Sequence, residues 1–150
     1  MKLTPQLSRV QEKMKPGVIT GEGFLGDDTR NIADIIQRDE EVARTLDLDW
    51  EKTALLLRRL LDESARGLGE AVTVDGKWTV CLHEARGKLP CPFGDGLHRK
   101  HTASIVRTAS GQRLVVSELS LHLLKEHHFL QGRGSPFRLE PDLLLSVLAD

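Results

Sequence analysis

The chain has 150 residues, of which 39% are hydrophobic and 29% charged, with a formal net charge of −1. That is the composition of an ordinary folded domain, neither disordered nor membrane-spanning. No apolar run approaches the roughly 18 residues of a spanning helix, and MKLTPQLSRV lacks the basic start and apolar stretch of a secretory signal, so one cytoplasmic domain over 1–150 without a membrane partner is expected.

Thr4-Pro5 reads as a helix N-cap with Pro at the first helical position, and Leu7, Val10 and Met14 share a face until Pro16-Gly17 stops the helix. Asp28 is placed to cap a second helix with an apolar stripe of Ile32, Ile35, Ile36, Ala43 and Leu46, and Asp49 a third. In the third, Ala54, Leu57, Leu61, Ala65 and Leu68 align and Gly67 marks the C-terminal end.

The period then changes to alternation. Residues 71–74 and 77–84 flank Asp75-Gly76, a hairpin signature because this dipeptide accepts positive φ. A strict two-residue turn puts Val72 and Val74 on the face of Lys77, Thr79, Cys81 and His83, opposite Trp78, Val80 and Leu82, so the hairpin must be covered on both faces or bulged. A second hairpin is expected over 102–108 and 113–116. Ser117 then caps a helix to about Phe129, Gly132 ends it, and Pro141 opens a Leu-rich last helix. Helices, two hairpins and helices again predict an α+β fold: a helical N-terminal part, an antiparallel sheet of about four strands and two C-terminal helices.

Gly21-Glu22-Gly23-Phe24-Leu25-Gly26 spells G-x-G-x-x-G, but no βαβ unit surrounds it, and Asp27 and Asp28 repel a phosphate at the following helix, so a flexible turn is the expected reading. Between the hairpins lies LPCPFGDGLHRKH, residues 89–101. Its Pro and Gly content predicts a stiff structural loop. Pro92 to His98 resembles the end of the CDGSH iron–sulfur motif, a resemblance that would imply three thiolates and one His as ligands. The matching positions here are His83, Ala85, Gly94 and His98, so three thiolates are missing and the cluster is rejected.

A zinc site remains as the alternative, with Cys91, His98 and His101 as metal ligands and with Cys81 and His83 side by side on one strand. The spacing matches no finger. Thiol catalysis at Cys91 with Asp95 and one of these histidines has the required residue types. Both cysteines are read as free. His122 and His127 are five apart, about 140° around a helix, so they are not expected to share an ion. Glu118, His122 and Glu126 read as a solvated face, and His127 as a partly buried histidine.

Arg86, Lys88, Arg99, Lys100, Arg107 and Arg113 face only Asp95 between residues 86 and 113. With the loop 131–138, this patch offers Arg99, Lys100, Arg133, Ser135 and Arg138 for an anion-binding surface. A non-catalytic binding domain is therefore the leading expectation, for an anionic ligand, nucleic acid or acidic protein, with no cofactor. The alternative is a zinc-binding or thiol-dependent enzyme at Cys91, His98 and His101. Phe93 is the one aromatic in the patch, which argues against single-strand stacking. The leucines of 119–130 and of the last helix read as a candidate homo-oligomer surface.

FLGDD, GLGEAV, LPCPFGD and GSPFRLEP together resemble a group of small bacterial proteins described only as cytosolic. The resemblance implies a bacterial cytosolic origin and carries no activity.

Overall fold

The structure is a computed structural model describing residues 2–150. Three helices come first: α1 (Pro5–Lys13), α2 (Ile32–Thr45) and α3 (Trp50–Ser64). Thr4 and Asp49 cap α1 and α3 as their positions predict, each side chain accepting a backbone N–H of the first turn. α2 differs. Its cap is Asn31, because Asp28 turns away to grip Arg30 at 2.6 and 2.9 Å. At the end of α3 the chain tightens into a 3-10 turn, Ala65–Gly67. Leu68 there takes a left-handed φ of 51° and points to solvent at 93% exposure, so it leaves the apolar stripe assigned to it.

The main sheet is antiparallel, in the order β1 (Val72–Val74), β2 (Trp78–His83), β5 (Thr102–Arg107), β6 (Arg113–Ser117). Val74 pairs with Trp78 and Val72 with Val80, so three residues, not two, make the first turn. Asp75 and Gly76 both have positive φ, and the extra residue moves Val72 and Val74 onto the face of Trp78, Val80 and Leu82. One face is thereby apolar. Across the ladder, Val80 faces Ile105 and Ile105 faces Leu114, and α3 with α5 (Pro141–Leu148) covers them. Trp78 Nε1 donates to Val147 O at 2.7 Å, tying α5 down.

Residues 88–99, most of which were expected to lie in a stiff structural loop, hold a small second sheet of β3 (Lys88–Pro90) and β4 (Leu97–Arg99). Its tip, residues 91–96, closes by Cys91 N–H to Gly96 O and Gly94 N–H to Cys91 O, both 2.9 Å. This hairpin lies against α4 (Glu118–His127), which opens on a reciprocal Ser117–Ser120 cap. Beneath them a second apolar cluster joins Val10, Met14, Phe24, Ile32 and Ile35 to Cys91, Leu119, Leu123 and Phe129. Leu119, Leu121, Leu123, Leu124 and Leu130 are all buried in the chain's own core, whereas Leu143, Leu145 and Leu148 of the last helix are partly buried. No helix among the described residues is long and apolar enough to cross a membrane.

The G-x-G-x-x-G segment is a tightly packed turn, where a flexible one was expected. A Cβ on Gly26 would fall on the carbonyl of Arg133, and one on Gly132 on the carbonyl of Leu25. The two loops meet backbone to backbone through Asp27 N–H to Arg133 O and Gly132 N–H to Phe24 O, both 2.9 Å.

Candidate metal centre

The tip of the β3–β4 hairpin projects Cys91 and Asp95 at the C-terminal half of α4. Asp95 Oδ1 accepts from His122 Nε2 at 3.0 Å, and its Oδ2 from His127 Nε2 at 2.8 Å. Cys91 Sγ lies 3.9 Å from the same His127 nitrogen. One donor atom from each of Cys91, Asp95, His122 and His127 lies within 4.8 Å of every other. The two histidines, not expected to share a site from their spacing, lie edge to edge with ring centroids 5.5 Å apart. The Asp95 carboxylate from another element bridges their Nε2 atoms, and His127 is the last residue of the helix.

Both imidazoles are backed by a ring. The Phe93 ring stacks on His127 with centroids 3.9 Å apart, and the His98 ring lies 4.1 Å from that of His122. Cys91 is 2% exposed, while Asp95 has a side-chain exposure of 40%, so the cluster opens to water on the carboxylate side. Burial pushes the Cys91 thiol up to about 12, with the Asp95 carboxylate adding to the rise. Burial works against ionising Asp95. Hydrogen bonds from Cys91, His122 and His127 outweigh it and hold that carboxyl well below the usual range.

Of the three residues predicted as ligands, the structure brings only Cys91 into the cluster. His98, on β4, stands behind His122 with its Nε2 buried and without a hydrogen bond among the described residues. Burial, then the His122 charge, lowers its pKa. His101 has left the hairpin; its carbonyl accepts the Glu118 N–H at 3.1 Å, and its side chain faces a hollow beside residues 84–88. Cys81 and His83 are on β2, where Cys81 meets Gly69 O at 3.5 Å. Glu118, read as part of a solvated face, is gripped by Arg58 through two hydrogen bonds of 2.8 and 3.0 Å.

The predicted anion surface is divided. Arg138 is committed to Asp39 through both terminal nitrogens and to Glu140 and Gln131 O, an ion pair whose side chains are 9% and 4% exposed. Ser135 is buried and donates to Gln131 Oε1 at 2.6 Å. Neither is available to a partner. Arg133 remains exposed, as do Arg99 and Lys100, which line a separate cavity.

No protein-family model, curated protein or solved structure matches this chain. What fold and site define is an α+β chain with a thiol, a carboxylate and two imidazoles gathered between a hairpin tip and a helix end.

Proposed function

We propose that this chain is a metal-binding protein that takes one divalent zinc-like ion at Cys91, Asp95, His122 and His127, and that the ion clamps the hairpin to α4. One observation carries the reading: four donor atoms from two stretches distant in sequence converge within 4.8 Å. Sulfur, imidazole and carboxylate donors together suit zinc. With bonds of about 2.0–2.3 Å, a tetrahedron around zinc has edges of about 3.3–3.6 Å, so shifts of about an ångström convert this cluster into a coordination shell. Four protein donors make a closed shell, the kind that holds structure together, whereas catalytic zinc keeps a position open.

Thiol catalysis finds less support. A general base must take the thiol proton on one nitrogen while a carboxylate orients the other. Here the thiol and the carboxylate both face His127 Nε2, and the thiol itself is buried and pushed up to about 12.

The test is elemental analysis of untagged protein grown with added zinc, alongside Cys91→Ser, Asp95→Asn, His122→Gln and His127→Gln. About one equivalent is expected in the parent, with loss in each of the four variants and retention in His101→Gln. Zinc far below one equivalent, with no rise in melting temperature when zinc is added, would sink the proposal.

A further inference from the structure

The loops that pack backbone to backbone also build a cavity. Residues 19–24, Leu89, Arg99 and Lys100 of the hairpin, and Gln131, Pro136 and Phe137 line a half-open cavity of about 440 Å³. The volume is that of a small-molecule site, and so is the lining: mostly apolar, with Phe24, Leu89, Leu119 and Phe137, and a few polar groups. The close contacts of Gly23 with the Met14 and Pro16 backbone, and of Gly132 with that of Leu25, keep its walls in place.

Two polar features of the lining offer hydrogen-bond donors and positive charge. Gln131 is 2% exposed and held at a left-handed φ of 71°. Its Oε1 takes the Ser135 hydroxyl, yet its side-chain nitrogen makes no hydrogen bond among the described residues. That nitrogen still meets solvent, so the donor is available to a ligand oxygen lying in the cavity. At the mouth stand Arg99 and Lys100, both exposed. Glu118 reaches Arg99 at 3.6 Å; Lys100 has no carboxylate partner among the described residues. Glu22 is the one acidic residue in the lining, so the mouth is net positive.

We propose that this cavity binds an amphipathic carboxylate, its hydrocarbon body among Phe24, Leu89, Leu119 and Phe137, with Lys100, Arg99 and the Gln131 amide nitrogen supplying the donors. A polynucleotide fits the observations less well, because its backbone would meet the rim cations and leave the apolar interior empty.

The full chain is titrated calorimetrically with octanoate, with octanol and acetate as the uncharged and the body-less arms. Octanoate is expected to bind at one site at least about tenfold more tightly than either. Lys100→Glu, at an exposed position, should weaken octanoate about tenfold and leave octanol unchanged. Gln131→Glu keeps an acceptor for Ser135 while replacing the free donor by an anion, and should weaken octanoate similarly; Ile19→Trp, which fills the cavity, should abolish binding at an unchanged melting temperature. Octanoate bound no more tightly than octanol, affinity indifferent to both charge variants, or no saturable octanoate binding would each overturn the proposal.

Discussion

Asp28 shows how one side chain holds two distant loops. With 3% of its side chain exposed, it accepts from Arg30 Nε and Nη2 and from the Arg133 backbone N–H at 3.2 Å. The Arg30 hydrogen bonds outweigh the cost of burial and hold its carboxyl well below the usual range. A carboxyl depressed on folding contributes stability that is fully present above its unfolded value of about 4 and is lost as pH falls toward the folded one. Urea unfolding should therefore show stability declining below about pH 4, and Asp28→Asn should flatten that decline while costing about 2 kcal/mol at neutral pH. Cys91 makes the second residue-scale prediction. A buried thiol pushed up to about 12 has almost no thiolate at neutral pH, so iodoacetamide should modify the half-buried Cys81 well before Cys91. Faster labelling of Cys91 would return thiol chemistry to consideration.

At the scale of elements, the glycine-bearing loops are where backbone geometry counts most. At Gly132 a methyl group would collide with the Leu25 backbone, whereas at Gly111 it would meet open space. Gly132→Ala should accordingly destabilise by about 2–3 kcal/mol through overpacking, against about 1 kcal/mol at Gly111, where only the φ of 75° opposes a side chain. Chemical denaturation of both variants checks the ordering. The same elements show what local patterns can carry. Helix caps at Thr4, Asp49 and Ser117 were legible because a cap is a contact within one turn. The first hairpin was legible as a hairpin, but its register was not, since Asp75-Gly76 fits turns of two or three residues and only packing against α3 and α5 selects the one with Val72 and Val74 inside. The β3–β4 hairpin was hidden because its strands are three residues each and rich in Pro and Gly context, too short for alternation to register.

For the whole molecule, the cluster at the hairpin tip links the two apolar cores: Cys91 belongs to the N-terminal one, and α4 contributes to both. If an ion joins Cys91 and Asp95 to His122 and His127, its removal should act locally first. Chelation of zinc-loaded protein should speed amide hydrogen exchange across residues 88–99 while the β2–β5 pairing, buried in the other core, keeps its protection. Zinc at about a thousand times its dissociation constant should restore about 4 kcal/mol. Equal exchange with and without metal would show that hydrogen bonds to Asp95 hold the hairpin unaided.

Local sequence by itself determined the helices, the two large hairpins and hence the α+β class, because caps, turns and apolar periods express interactions among residues a few positions apart. It also drew attention to Cys91, through an unusual concentration of Pro, Gly, Cys and His. Tertiary structure alone decided which partners Cys91 meets. His122 and His127, five apart on their helix, meet edge to edge with ring centroids 5.5 Å apart, and Asp95, 27 and 32 residues away, enters from a different element to bridge them. The fate of the arginines was decided in the same way: Arg138 is consumed by Asp39 from α2, while Arg99 and Lys100 are left at the mouth of a cavity. Charge and chemistry are properties of residues, but pairing depends on what the fold brings within a few ångströms.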